Sequence, residues 1–170
     1  QVDQFVIVES KFDHQGNEKR LNFDFEKFKK FKNKINYQVI NEFPKGISSW
    51  DRENYQRNFI MNGIDDFNEN DYIIISDVDE IPDLKKLKNL HNNKFTVFQQ
   101  KMFYYKFNLL NVTEPFWYGS RVCKKKYLKS PQWLRNQKVK KYSFWKFYKI
   151  KWNIIKDGGW HFSFLMNAKQ

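Results

Sequence analysis

The chain has 170 residues, 41% of them hydrophobic and 19% aromatic, which is enough apolar material for the core of one domain. A single cysteine, Cys123, excludes an internal disulfide. No apolar run approaches the roughly 20 residues that a membrane-spanning helix needs, and no signal-peptide pattern opens the sequence.

The net charge of +12 is unevenly distributed along the chain. Residues 1–83 hold 11 Lys and Arg against 17 Asp and Glu, whereas residues 84–170 hold 20 against 2. An acidic half that can hold a cation and a basic half that can hold an anion would together suit a diphosphate bridged to a metal. Solvated lysines explain the basic half equally well. The same basic face is a candidate for peripheral membrane association.

Two strands and a helix are predicted at the start of the chain. Residues 4–10 read as a buried strand, and residues 35–43 alternate well enough to form a second one. Between them, phenylalanines recur at a spacing of three with lysines in between, which predicts a short helix over residues 24–34.

A second helix is predicted through residues 50–62. Ser48 and Asp51 form the S-x-x-D pattern of a capping box, and Gly63 suits the C-terminal cap. The first part of the chain thus alternates strand and helix, which favours a parallel α/β sheet.

The most informative stretch is residues 71–82, which read DYIIISDVDEIP. Four apolar residues predict a strand buried on both faces, as in the middle of a parallel sheet. Three carboxylates then crowd into four positions, and like charges this close require a shared cation or proton. Ligands bind outside the carboxyl ends of strands in open α/β sheets, where these acids lie. Pro82 would then open a helix that carries Leu84, Leu87 and Leu90.

The second half of the chain is rich in aromatic strands. Strands are predicted over residues 95–105, 116–122, 142–151 and 160–165, with basic loops at 123–129 and 135–141. The predicted fold class is therefore α/β, with a mixed sheet flanked by helices whose second half adds antiparallel strands over the site.

Asp77 and Asp79 form an Asp-x-Asp pair at the end of the predicted strand. Alternation along an extended chain would point both carboxylates the same way, so both could bind one hard cation. His161, after the Gly158–Gly159 pair, is a candidate third ligand or a structural histidine. Carboxylate and imidazole ligands together would suit Mn²⁺ better than Ca²⁺.

Four segments together resemble glycosyltransferase family 17. They are VDQFVIVESKFDHQGNEKRLNF, the helix with ENYQRNFIMNG, DYIIISDVDEIP and GGWHFSF, in that order along nearly the whole chain. This family comprises the β-1,4-mannosyl-glycoprotein N-acetylglucosaminyltransferases, which add the bisecting GlcNAc. The resemblance implies a GT-A-like, Rossmann-like fold. It also implies inverting transfer of a sugar from a UDP-sugar to a glycan acceptor, and the expected donor is UDP-GlcNAc. It also implies a divalent metal, Mn²⁺ or Mg²⁺.

The resemblance also implies roles for individual residues. Asp77 would face the ribose or the metal, Asp79 would bind the metal on the diphosphate, and His161 would be a late metal or diphosphate ligand. The donor-binding candidates in the first part of the chain are Glu9, Lys11, His14, Lys19 and Arg57. An ion pair with Glu53 is an equally good interpretation of Arg57.

Inverting transfer needs a carboxylate that takes the proton of the acceptor hydroxyl. Glu80, Glu114 and Asp157 are the candidates, and no pattern selects among them. Glu80 has a second interpretation, as a cap of the helix predicted to follow it.

Family members usually carry a further strand and helix before the point at which this sequence starts. We therefore expect one glycosyltransferase domain over residues 1–170, with a nucleotide and metal half at 1–92 and an acceptor half at 93–170. An N-terminal strand and helix of the full fold would be missing. A complete chain would be cytoplasmic, whereas a fragment would belong to a membrane-anchored or Golgi lumenal protein.

Three other functions deserve comparison. A haloacid-dehalogenase-like phosphatase also has Asp-x-Asp after an apolar strand, but it needs Thr or Val where Ile81 lies and a later acidic pair, so we reject it. A nucleic-acid-binding module would use the basic, aromatic second half, yet the clustered acids would repel phosphates, which argues against a nucleic-acid partner. A degenerate transferase that binds nucleotide-sugar without turnover remains an alternative.

Overall fold

The computed structural model describes residues 2–88, 90–140 and 149–165. By their contacts these fall into two compact units, Gln1–Phe67 with Ser130–Trp133, and Asn68–Lys129 with Leu134–Gln170. The functional division expected at residue 92 stays a prediction.

The first unit is built on two parallel strands. β1 (Phe5–Ser10) pairs with β2 (Ile35–Ile40) in a register that joins Phe5 to Ile35 and Ser10 to Ile40. Both predicted strands are thereby confirmed, although β2 ends three residues before the predicted end at residue 43.

The helix predicted over residues 24–34 is wrong, because turns lead there into a 3-10 helix at Lys29–Lys34. A spacing of three matches the three residues per turn of a 3-10 helix better than the 3.6 of an α-helix. The aromatic rings pack locally, since Phe23 stacks on Phe28 at 5.4 Å and contacts Tyr37 at 5.0 Å.

Helix α1 (Ser49–Asn58) begins at the predicted capping box. The Asp51 N–H donates to Ser48 Oγ at 3.2 Å, and the Ser48 N–H donates to Asp51 Oδ2 at 3.1 Å. The α-helix ends earlier than predicted and passes into a 3-10 helix, Phe59–Gly63. A Cβ at Gly63 would lie 2.3 Å from Val6 Cγ1, so glycine is needed for this close packing on β1.

The second unit contains a six-stranded mixed sheet. Its strands are β3 (Tyr72–Ile75), β4 (Glu80–Pro82), β5 (Phe95–Tyr104), β6 (Phe116–Lys124), β7 (Trp152–Ile155) and β8 (Gly159–Ser163). Their order in the sheet is β3-β6-β5-β8-β4, and β7 also pairs with β5. β5 runs antiparallel to β6 and parallel to β7 and β8.

Three of the four strands predicted for the second half are confirmed, namely β5, β6 and β8. The strand predicted over residues 142–151 lies largely outside the described residues. The short helix α2 (Pro131–Asn136) lies after β6. It includes the first two residues of the basic loop predicted at 135–141.

The prediction for β3 as a strand inside a parallel sheet is wrong. β3 pairs antiparallel with β6 and ends the strand order of the described sheet. Ile73 and Ile75 are buried while Tyr72 is exposed, so the strand buries mainly one face. A run of four apolar residues fits either environment, and only the distant partner strand decides between them.

The helix predicted after Pro82 is also wrong. Pro82 ends the short strand β4, and the leucines that follow lie near two 3-10 turns, Leu84–Lys86 and Leu90–Asn92. Pairing of β4 with β8 explains this, because the Asp83 N–H continues the ladder by donating to the Gly158 carbonyl at 2.8 Å.

The buried core of the second unit lies on the central strands. Val97 and Phe98 on β5 are fully inaccessible to solvent, and Val122 and Cys123 on β6 are nearly so. The chain is thus a mixed α/β protein with few helices. In the described part of the chain, no helix has the length and apolar character needed to cross a bilayer.

Candidate active site

Residues Asp77 to Glu80 form a turn between β3 and β4. The Glu80 N–H donates to the Asp77 carbonyl at 3.1 Å, and Val78 at the tip is fully exposed. The chain therefore turns here, whereas the prediction for Asp77 and Asp79 assumed an extended chain, and their joint binding of one cation stays a prediction. Asp77 contacts Arg135, whereas Asp79 contacts His161.

Glu80 lies at the centre of a buried polar cluster, with its side chain 0% exposed. Arg135 donates to both carboxylate oxygens, from Nη2 to Oε1 at 2.8 Å and from Nη1 to Oε2 at 3.0 Å. Trp117 Nε1 donates to Oε1 at 2.8 Å, and Ser120 Oγ donates to Oε2 at 3.3 Å. The Asp77 N–H adds a bond to Oε2 at 3.2 Å.

This geometry gives Glu80 a different role from the helix cap that was one interpretation of it. Glu80 does not cap a helix, since it opens β4, and its side chain is buried. Five donors occupy the two oxygens of an ionised carboxylate, which satisfies a buried charge that would otherwise be very costly.

His161 is placed by the predicted glycine pair. Gly159 has φ +131°, and a Cβ there would lie 2.1 Å from the Ile81 carbonyl oxygen. A Cβ at Gly158 would lie 2.7 Å from the Ile155 carbonyl. The expected close backbone approach is confirmed, and it lets β8 pair with β4 so that His161 faces Glu80 in the register.

The His161 ring is buried between an aromatic ring, a thioether and a carboxylate. It stacks on Trp117 with ring centres 5.2 Å apart, and Nδ1 lies 2.8 Å from Met102 Sδ. Nε2 lies 3.3 Å from Asp79 Oδ2. The hydrogen bond with His161 holds the pKa of Asp79 below its ordinary value, although partial burial opposes this.

The Asp79–His161 pair can contribute two ligands to one cation. Two ligands about 2.1 Å from an octahedral cation lie about 3 Å apart, close to the observed 3.3 Å. The Asp79 side chain is 39% exposed, so a ligand can approach it from solvent. In the described residues, no group of three or more His, Cys, Asp and Glu side chains could hold a metal.

Glu114 and Asp157, the other candidate bases, lie on exposed loops of the second unit. The Asp157 carboxylate is 4.0 Å from Lys101 Nζ, and its backbone adopts a left-handed conformation with φ 47°. The Glu114 N–H donates to Asn111 Oδ1 at 3.2 Å. Neither contact tests a role in proton transfer, which stays a prediction.

Glu9 of the first unit organises the loop that follows β1. It accepts bonds from the Asn22 and Phe23 N–H groups, from Lys19 Nζ at 3.0 Å and from the Tyr37 hydroxyl at 2.8 Å. Burial alone would raise the pKa of Glu9, but these bonds outweigh it and lower the pKa to about 2. Burial and the neighbouring Glu9 raise the pKa of Tyr37 to about 12.

The other donor-binding candidates of the first unit differ in exposure. Lys11 and His14 are exposed. The Arg57 side chain is 13% exposed and binds Glu53 at 2.9 Å, as the second interpretation of this arginine expected, and also Gln132. A role of these residues toward a donor stays a prediction.

Sequence reasoning missed two residues of the site, Arg135 and Trp117. Arg135 was assigned only to a basic loop, and Trp117 only to a strand. The signal was present in the crowded acids, which require a cation nearby. In the structure that cation is the Arg135 guanidinium, which binds both Asp77 and Glu80.

Comparison with known proteins identifies the family. The sequence model of glycosyltransferase family 17 matches residues 1–170. Neither the curated proteins nor the solved structures gave a match. The match covers the strand and turn that carry Asp77 and Asp79 and the Gly158–His161 segment, so the expected family is confirmed. The chain belongs to glycosyltransferase family 17.

Proposed function

We propose that this protein transfers GlcNAc from UDP-GlcNAc to a glycan acceptor, with inversion at the anomeric carbon and with a divalent cation on the diphosphate. Membership of the family implies glycosyltransferase activity. The observation that carries the finer proposal is the Asp79–His161 pair, in which a partly exposed carboxylate in the turn between β3 and β4 contacts a buried imidazole on β8.

In this proposal Asp79 and His161 hold Mn²⁺ or Mg²⁺, and Asp77 faces the donor ribose or the cation. Bound there, the cation would neutralise the negative charge that develops on the leaving UDP. The mixed α/β architecture supports a GT-A-like assignment.

The transfer itself breaks one bond and forms another. The acceptor hydroxyl oxygen forms a bond to the anomeric carbon while the bond from that carbon to the diphosphate oxygen breaks, and UDP leaves with the electron pair. A carboxylate takes the hydroxyl proton. We assign this step to Glu114 or Asp157, which are exposed, because the Glu80 carboxylate is buried and receives five hydrogen bonds.

The test is a screen of UDP-sugars for slow hydrolysis with and without Mn²⁺. We expect hydrolysis of UDP-GlcNAc in Mn²⁺ and none after chelation with EDTA. Asp66→Ala, at an exposed acid of the first unit, is a control that should match the wild type. Hydrolysis that persists without any divalent cation would contradict the metal, and turnover of a different donor alone would contradict GlcNAc.

A further inference from the structure

Arg135 is a largely buried cation of the second unit. Its side chain is 9% exposed and makes four hydrogen bonds. Nη1 donates to Glu80 Oε2 and to the Gly119 carbonyl, and Nη2 donates to Glu80 Oε1 and to Asp77 Oδ2. A planar guanidinium provides such a fork, whereas a lysine ammonium acts as a point charge and cannot reproduce it.

The fork holds both ends of the turn that carries Asp79. Asp77 precedes and Glu80 follows the tip, and the two residues are also joined through the Asp77 N–H to Glu80 Oε2. Without a cation between them, these two carboxylates would repel each other. The position of Asp79 between them therefore depends on the bonds of its neighbours.

Contacts continue from Glu80 to the histidine. Glu80 accepts the Trp117 indole N–H at 2.8 Å, which orients the ring that stacks on His161. On the backbone, the Phe162 N–H donates to the Asp79 carbonyl at 2.9 Å. Each member of the Asp79–His161 pair is thus connected to the Arg135–Glu80 ion pair by a short chain of contacts.

We propose that Arg135 is a positioning residue that acts through Glu80 and Asp77 to hold Asp79 against His161 in the geometry that binds the cation and diphosphate. This inference rests on the proposed function. Residues that orient the ligands of a metal typically change metal affinity or activity by about 10–100-fold when they are replaced.

A purely structural role makes a different prediction from a positioning role. A structural arginine would lower the melting temperature of the variant without changing the affinity of its folded molecules for ligand. Arg121 offers a control, because it is also a buried arginine of the same unit and donates to the Leu134 and Gln137 carbonyls. Arg121→Lys also keeps the positive charge that Arg121 presents to Glu80 and Asp77.

The experiment measures the Mn²⁺ concentration that half-saturates UDP binding, by calorimetry at fixed UDP, below the melting temperature of every variant. For Arg135→Lys we expect this concentration to rise by about 10–100-fold. Arg121→Lys should lower the melting temperature but leave the half-saturating concentration unchanged. Glu80→Gln, which keeps the shape but weakens the fork, should raise that concentration in the same direction as Arg135→Lys.

The outcomes separate the inference from the function on which it rests. Absence of Mn²⁺-dependent UDP binding in the wild type would overturn the proposed function. Normal wild-type binding with an unchanged half-saturating concentration in folded Arg135→Lys and Glu80→Gln would overturn the positioning role alone. Failure of both variants to fold would also overturn it, since the fork would then be a requirement of the fold.

Discussion

Asp79 and His161 meet through Oδ2 and Nε2 at 3.3 Å, although one lies in the turn before β4 and the other on β8. The antiparallel pairing of β4 with β8 produces this contact by bringing the two segments side by side. Trp117 and Met102 cover the imidazole, while the carboxylate stays partly open to solvent. The pair is therefore buried on its histidine side and accessible on its carboxylate side.

Trp117→Phe should destabilise the protein by about 1–3 kcal/mol, because it removes one donor from a buried ionised carboxylate and keeps an aromatic ring. Trp152→Phe is the matched control, since the Trp152 indole N–H donates at 3.2 Å to the backbone carbonyl of Lys138 in an exposed position. Loss of this exposed hydrogen bond should destabilise the protein less. Unfolding in urea measures both. An equal loss of unfolding free energy in the two variants would show that the hydrogen bond to Glu80 stabilises the protein no more than the exposed bond of Trp152.

Gly119→Ala should cost about 3 kcal/mol of folding stability through overpacking of the polar cluster. A Cβ at Gly119 would lie 1.8 Å from Gln100 Oε1 and 2.9 Å from Glu80 Cδ. Gly46→Ala is a useful comparison, because Gly46 has φ +77° and open space around the added atom. Its cost should be about 1 kcal/mol from backbone strain alone. Melting temperatures that fall equally for both would contradict the steric account.

Glu9 should contribute to the loss of folding stability at acid pH. Its pKa falls from 4.5 to about 2 on folding, so its stabilisation is complete above pH 4.5 and is lost as the pH falls toward 2. Glu9→Gln should cost about 1–2 kcal/mol near neutral pH, because solvent screens part of the interaction, and its stability should fall less than that of the wild type as the pH drops from 4.5 to 2.

Urea unfolding at a series of pH values measures this difference. Glu42→Gln, at an exposed glutamate, should follow the wild-type curve. Parallel acid curves for the wild type and Glu9→Gln would show that the loop bonds of Glu9 do not depend on its charge.

Cys123 should resist thiol reagents in the folded protein. The residue is 1% exposed, and burial raises the pKa of its thiol to about 12, so almost no reactive thiolate forms at pH 8. An aromatic disulfide reagent should label it only as fast as the protein unfolds, and fully in guanidinium chloride. Rapid stoichiometric labelling without denaturant would contradict the burial of β6, and Cys123→Ala provides the background.

Local patterns in the sequence predicted the elements whose formation depends on near neighbours. The Ser48–Asp51 capping box specifies the start of α1 within a single turn. The Gly158–Gly159 pair predicts a close approach of two backbone segments, because a side chain at either position would collide with a backbone carbonyl.

Features that depend on distant partners could not be predicted. The sheet position of β3 is decided by β6, and the cation beside the acids is supplied by Arg135, far along the chain. The chain turns between Asp77 and Glu80 instead of staying extended, and Asp77 and Asp79 contact different partners, Arg135 and His161. Charge crowding predicted that a cation was needed, but it did not distinguish a guanidinium from a metal ion.

The most direct test of the account is calorimetric titration of UDP into the wild type, Asp79→Ala and the control Asp66→Ala, each with and without Mn²⁺. The account predicts that the wild type and Asp66→Ala bind UDP only in Mn²⁺, and that Asp79→Ala weakens this binding by at least about tenfold. Unchanged Mn²⁺-dependent UDP affinity in Asp79→Ala would contradict the account. Preference for oligonucleotides over UDP, lost steeply with salt, would instead indicate a nucleic-acid-binding module.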